Sequence, residues 1–159
     1  MRKLVLFDID GTLLDSGGAG RRAMIAAFGQ VFGTTGPVDE YPMAGKVDSQ
    51  IVIELMTAAG LPDVMIRERM PSYFATYTDE LRRIIDHHHV RALPGAVELL
   101  ERLTARSDVV IGLLTGNIFP GAQEKLRAGH LGHYFDGLGA FGDDALSRPE
   151  LPAIAVDRA

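Results

Sequence analysis

The chain has 159 residues, 47% hydrophobic and 23% charged, with a formal net charge of −5. Those proportions match soluble globular proteins and exclude a disordered or fibrous chain, and the length suffices for one substantial core. The absence of cysteine excludes a disulfide scaffold, a thiolate zinc site and a thiol nucleophile. The acidic balance, 21 Asp and Glu against 16 Lys and Arg, argues against nucleic acid or an anionic membrane surface as the main partner.

In chain order, Lys3-Leu4-Val5-Leu6-Phe7 is a short apolar run of β-formers, read as a buried, parallel strand that stops at Asp8-Ile9-Asp10-Gly11. The run is too short for the core of a signal peptide, and no other approaches the roughly 18–20 residues of a membrane span, so a cytoplasmic location is expected. Met24, Phe28, Val31 and Phe32 then recur at helical spacing after Gly20, with Arg21-Arg22 expected on the surface. Asp48 is placed to cap a helix over 49–59 that ends at Gly60 with Pro62 beyond. A longer helical stretch spans 63–87, with Pro71 breaking or kinking it. Its end, His87-His88-His89, cannot turn three adjacent imidazoles onto one metal ion and reads as a solvated helix terminus.

Pro94-Gly95 opens an amphipathic helix through Ala96, Leu99, Leu100 and Leu103. A second strand follows at Val109-Val110-Ile111-Gly112-Leu113-Leu114 and ends at Thr115-Gly116-Asn117. A helix over 121–128, a weaker third strand within 135–141 and the start of a helix at 149–159 complete the pattern. Two buried strands therefore frame a helical insertion, which predicts an α/β core of 1–15 and 91–159 interrupted by an all-helical subdomain over 16–90.

Residues two apart in a strand share a face, so Asp8 and Asp10 present two carboxylates at the carboxyl end of a parallel strand, where open α/β sheets keep their ligands. Close like charges need a cation or a shared proton, and all-oxygen donors suit Mg²⁺. One carboxylate could attack phosphorus while the other moves protons. The competing reading is a plain Asp-Gly turn. Thr115 at the end of the second strand adds a hydroxyl at the same sheet edge, and Gly116 would let the backbone approach a phosphoryl oxygen.

Phe7-Asp8-Ile9-Asp10-Gly11-Thr12-Leu13-Leu14-Asp15-Ser16 resembles the first motif of the haloacid dehalogenase-like (HAD) hydrolase superfamily, and Leu113-Leu114-Thr115-Gly116-Asn117 resembles its second. The helical insertion matches the superfamily's C1 cap. Pro94-Gly95-Ala96-Val97-Glu98-Leu99-Leu100 and Tyr134-Phe135-Asp136 are similar to segments of its phosphoglycolate-phosphatase-like branch. The resemblance implies a Rossmann-like core with a C1-type helical cap and a Mg²⁺-dependent phosphomonoester hydrolase acting on a small phosphorylated metabolite. In it, Asp8 would be the nucleophile and Asp10 the general acid and base, both at the metal, with the Asp10 backbone carbonyl on Mg²⁺. Thr115 would bind the phosphoryl group, and Gly11, Thr12, Gly116, Asn117 and Lys46 would lie around the substrate. Gly45-Lys46-Val47-Asp48 resembles a substrate-facing loop of the cap, with a plain turn and N-cap as the alternative.

The third motif normally offers a Lys, and Arg148 occupies that place; Lys125 is the other candidate, with a solvated helix lysine as the favoured reading. Asp143-Asp144 resembles the loop before the third motif rather than the fourth motif, which implies that the chain ends before its fourth strand. In the family's 5-4-1-2-3 order, strand 4–7 would then be an exposed edge, open to self-association, with weak Mg²⁺ binding. The rivals are a non-catalytic or incomplete HAD-like fold and a phospho-accepting receiver-type domain; the helical insertion disfavours the latter.

Overall fold

The computed structural model describes residues 2–159. In chain order the elements are β1 (Lys3–Phe7), a two-residue β2 (Leu14–Asp15), α1 (Ala19–Phe32), α2 (Asp48–Ala58), α3 (Asp63–Ile85), a two-residue β3 (Arg91–Ala92), α4 (Ala96–Thr104), β4 (Val109–Leu114), α5 (Phe119–Ala128), a two-residue β5 (Gly139–Ala140) and α6 (Leu151–Asp157). The sheet is parallel in the order β1-β4-β5, with Phe7 opposite Leu113 and Leu114 opposite Ala140. This register brings the residues after β1 and after β4 to one end of the sheet, the end from which parallel sheets present their ligands.

Three apolar clusters fill the molecule, the smallest joining Val47 to Ala140, Leu151 and Ala155. In one of the two larger, Phe7, Ile9, Leu13 and Leu113 of the sheet side pack with Leu100 of α4 and Leu126 of α5. Phe28 of α1, Leu55 and Met56 of α2, and Ile66, Tyr73, Tyr77, Leu81 and Ile85 of α3 form the other. The fold is thus a Rossmann-like α/β core with a helical cap. β2 and β3 pair antiparallel, Leu14 with Ala92 and Asp15 with Arg91, so the two crossings between core and cap run side by side. That ribbon was not expected, because two residues carry too little periodicity to announce a strand. The exposed Arg91–Asp15 ion pair across it, at 3.3 Å, contributes little on its own.

Pro71 does not break the long helix: α3 runs unbroken for 23 residues. The lost main-chain hydrogen bond is outweighed by a buried stripe against α1, where Phe28 and Tyr73 rings lie 4.5 Å apart. The helix ends at Ile85, and the His87 and His88 amides donate to the Ile84 and Ile85 carbonyls in closing turns. The third strand shrinks from the expected 135–141 to Gly139–Ala140. Gly137 and Gly139 adopt φ of 94° and 149°, and a Cβ at Gly139 would lie 2.2 Å from the Leu113 carbonyl oxygen. Only glycine allows β5 to reach β4, and its conformation cuts the strand short.

β1 has a strand neighbour on one side only among the described residues, and Leu4, Val5 and Leu6 are half-buried. No helix among the described residues is long and apolar enough to cross a membrane.

Candidate active site

A cavity of about 330 Å³ opens where the chain leaves β1 and β4, walled on the far side by α1, α3 and the loop before α2. Both expected carboxylates face it. Asp8 accepts its own neighbour's amide, Ile9, at 2.8 Å on one oxygen and the Arg148 guanidinium at 2.5 Å on the other. Arg148 arrives from the turn that leads into α6 and lies in the cavity wall. Asp10 receives Lys125 Nζ at 2.7 and 2.9 Å on its two oxygens, Asn117 Nδ2 at 2.7 Å and the Ser16 hydroxyl at 3.5 Å.

Lys125 is not the solvated helix lysine that its place on α5 suggested: its side chain is 6% exposed. Burying an ammonium is costly unless its donors are satisfied. Its three N–H groups meet three acceptors, the two Asp10 oxygens and Asn117 Oδ1, the last at 2.7 Å. Gly20 of α1 leaves the necessary room, since a Cβ there would stand 3.0 Å from Lys125 Nζ. Asn117 completes the cluster by donating to the hydroxyl of fully buried Thr115 at 2.8 Å. Desolvation by the cavity walls pushes the Asp10 carboxyl up, but the Lys125 ammonium, Asn117 and Ser16 outweigh it, so its pKa is lowered and it stands as a carboxylate.

Asp48 also departs from expectation. It is the first residue of α2, with Val47 at the cap position, and its side chain does not cap the helix. Instead Asp48 Oδ2 accepts the Ile118 amide at 2.9 Å, and its own amide donates to the Gly116 carbonyl at 2.7 Å. The carboxyl is 6% exposed, and burial pushes its pKa up to about 6 against the opposing pull of the Ile118 amide and Lys125. Spacing alone could not distinguish this from an N-cap, because Asp is the ordinary residue for either.

The remaining candidates divide. Gly116 and Lys46 line the cavity. A Cβ on Gly116 would lie 2.0 Å from the Lys46 carbonyl oxygen, so this glycine accommodates the cap loop. Lys46 Nζ donates to Glu54 at 2.5 Å and to the Tyr41 hydroxyl at 2.8 Å, and the hydrogen bonds that Lys46, the Tyr41 hydroxyl and Gln50 donate to Glu54 lower its pKa to about 2. Gly45, Lys46 and Asp48 thus stand in the wall of the cavity. Gly11 and Thr12, by contrast, are exposed and outside the cavity lining. The amides of Thr12, Leu13 and Leu14 all converge on the Ile9 carbonyl, a tight turn that carries Gly11, at φ 73°, and Thr12 outward. Arg21 was expected on the surface but is half-buried, lines the cavity and donates to the Val38 carbonyl, while Arg22 is exposed.

Asp143 and Asp144 do not reach the cavity. Asp143 accepts the Phe119 amide at 2.9 Å at the start of α5, and Asp144 accepts the Phe141 amide at 2.8 Å and pairs with Arg158 at 2.7 and 2.8 Å. His87, His88 and His89 are likewise outside it. No group of three or more His, Cys, Asp or Glu side chains that could hold a metal ion occurs among the described residues. The Asp10 carboxylate is taken by Lys125, so the donors that fit a hard cation are the Asp8 carboxylate and the Asp10 main-chain carbonyl, which accepts no protein hydrogen bond.

A parallel α/β core whose strand ends supply facing acids and a threonine beneath a helical cap is the plan of a HAD hydrolase. The family described as haloacid dehalogenase-like hydrolase matches residues 5–159, and the chain belongs to it. No curated protein sequence matches. Among solved structures, CbbY from Rhodobacter sphaeroides in complex with phosphate is similar over 99% of this chain and 72% of its own, at 18% identity and a TM-score of 0.64. A hydrolase from Pseudomonas syringae is similar over 99% and 70%, at 23% identity and a TM-score of 0.66. A haloacid dehalogenase-like family hydrolase from Streptococcus pneumoniae is similar over 98% and 69%, at 22% identity and a TM-score of 0.56.

The raised pKa of Asp48 sets a sign for stability. Between pH 4 and 6 the folded state holds a proton that the unfolded chain releases, so the penalty is absent at low pH and grows as pH rises through that window. Asp48→Asn does not titrate. Relative to that variant, the wild type should lose about 2 kcal/mol of unfolding free energy between pH 4 and pH 7, measured by urea titration. A difference that stays constant with pH would refute a buried, ionising Asp48.

Proposed function

We propose that the protein hydrolyses phosphomonoesters of small metabolites through an aspartyl-phosphate on Asp8. The observation that carries this reading is that Asp8 and Asp10 share one cavity, each held by its own cation, Arg148 and Lys125, with Thr115 beside them. Membership of the family supports it, and so does the fold shared with CbbY, which has been seen with phosphate and with xylulose-(1,5)bisphosphate. The largest apolar cluster draws all its buried members except Ile118 from 19–85, which supports dividing the chain into a core of 1–15 and 91–159 and a cap of 16–90. A receiver-type domain or a non-catalytic fold is not favoured.

In this mechanism the phosphoryl group, carrying up to two negative charges, competes with the carboxylates for Arg148 and Lys125. Arg148 moving onto a phosphoryl oxygen frees Asp8 Oδ2 for attack on phosphorus, and the ester P–O bond breaks as the Asp8–phosphorus bond forms. Lys125 moving likewise removes what lowers the Asp10 pKa, so Asp10 can take up a proton and deliver it to the leaving alkoxide. Asp10, again a carboxylate, then accepts a proton from the water that hydrolyses the aspartyl-phosphate, releasing inorganic phosphate. Thr115 and the backbone beyond it hold the phosphoryl oxygens where charge develops. A Mg²⁺ held by the Asp8 carboxylate and the Asp10 carbonyl would neutralise phosphoryl charge. Gly116, Asn117 and Lys46 stand at the cavity as substrate-side residues, Lys46 alongside its Glu54 partner.

Asp8→Asn, nearly isosteric but a far poorer nucleophile, should reduce turnover of an aryl phosphate to below about 1% of wild type with an unchanged circular dichroism spectrum. Retention of substantial turnover would remove Asp8 as the nucleophile.

Asp10→Asn should cost about 10²–10⁴-fold on alkyl phosphates, whose alkoxides need a proton, and much less on aryl phosphates with good leaving groups. Equal losses on both would count against Asp10 as the acid.

The single-sided pairing of β1, with Leu4, Val5 and Leu6 half-buried, supports pairing of this edge with a second copy. Sedimentation should then show association that rises with protein concentration and is abolished by a charged substitution, Val5→Lys. A monomer at all concentrations would exclude it.

A further inference from the structure

The proposed chemistry leaves one buried charged side chain at the cavity without a part. Asp48 belongs to the cap, yet both of its hydrogen-bonding contacts are with the core, and they fall on the two residues that flank Asn117. Its amide donates to the Gly116 carbonyl at 2.7 Å, and its Oδ2 accepts the Ile118 amide at 2.9 Å. Asn117, between them, is the residue whose side-chain amide joins Thr115, Asp10 and Lys125. The approach is close enough that Gly116 admits no side chain.

Docking of the cap alone does not require this. The next residue, Ser49, already ties α2 to the core by donating to the Gly142 carbonyl at 2.7 Å; Gly142 in turn donates its amide to the Asn117 carbonyl at 2.7 Å, so Ser49 reaches the loop only through that second residue, whereas Asp48 bonds it directly. Capping of α2 does not require it either, since Val47 holds the cap position and the Asp48 carboxylate accepts from Ile118 of the core. What the two contacts do share is the loop that carries Asn117.

We infer that Asp48 is a positioning residue: by clasping Gly116 and Ile118 it holds Asn117 in the geometry that orients Lys125 and Asp10, so that closing the cap and assembling the active site are one event. When the cap lifts, the Gly116 carbonyl and the Ile118 amide lose their partners together and the loop is free to relax. The kinetic part of this inference rests on the phosphatase reading; the structural part does not.

The test compares Asp48→Ala, Asp48→Asn and Ser49→Ala, using hydrolysis of an aryl phosphate by the whole chain and amide hydrogen exchange by NMR without substrate. Asp48→Ala should lower kcat by about 10²-fold with KM changed less than about threefold, the signature of a misplaced catalytic group. Asp48→Asn keeps an oxygen at the same place and should recover most of that loss. Ser49→Ala removes only the docking bond and should act chiefly on KM. In the exchange experiment, Asp48→Ala should speed exchange at Ile118 by about tenfold or more and shift the Asn117 side-chain NH₂ resonances, while Ser49→Ala leaves both in place. Should Asp48→Ala fail to fold, Asp48→Ser, whose hydroxyl ends one bond short of the Ile118 amide, is read in the same way. Equal kinetic effects of the Asp48 and Ser49 variants, or an unchanged Ile118 amide after loss of the carboxylate, would overturn the clasp. A wild type inert on every phosphate ester would sink the phosphatase reading, and the exchange data would still decide on Asp48.

Discussion

The rest of the site depends on one buried ammonium. Lys125 lies at the bottom of the cavity with its three donors divided between the two Asp10 oxygens and Asn117 Oδ1. A charge at 6% exposure is tolerable only because each donor is satisfied, so the positions of Asp10 and Asn117 are not independent of it. Asn117 in turn fixes the Thr115 hydroxyl, and Gly20 keeps the first turn of α1 far enough away for the ammonium to fit. Removing any member leaves a buried polar group unpaired, which is why the network acts as a unit.

The second constraint is the seam between cap and core, where backbone meets backbone with no side chain between. Gly116 faces the cap's Lys46 carbonyl, and behind it, within the core, Gly142 faces the Gly116 carbonyl, at distances that exclude a Cβ on either glycine. The Asp48 and Ser49 contacts lie along the same seam. The cap thus lies directly on the core, and the Asp8 and Asp10 carboxylates are each paired with a protein cation. A phosphoryl group is the kind of ligand that can take both cations over, which links the resting ion pairs to the proposed chemistry.

Expectation and structure part at specific residues. Asp143 and Asp144, read from sequence as a loop rather than a metal-ligand pair, are not among them: the Phe119 and Phe141 amides and Arg158 use them to pin the start of α5 and the last helix. Thr12 sits inside the most recognisable motif and still points away, because three amides on the Ile9 carbonyl wind that segment outward. Lys125 sits on an amphipathic-looking helix with nothing nearby in sequence to mark it, and its partner Asp10 is 115 residues distant. Arg21 was hidden for the same reason: its exposure depends on where the loop carrying Val38 folds back.

By itself the sequence determined what local chemistry can encode. Apolar runs of five and six residues ending in Asp8 and Thr115 specify two parallel strands and put acids and a hydroxyl at one sheet edge. The intervening helical periodicity specifies a helical insertion between those strands, because a strand's side chains repeat every two residues and a helix's every 3.6; the resemblance is what implies a cap. Only the tertiary structure decided which ordinary Lys becomes a buried partner of Asp10, which Asp leaves its helix to hold the opposite lobe, and which acids serve merely as caps. Those roles follow from desolvation and from donors meeting acceptors across 70 to 115 residues of chain, and no local pattern records them.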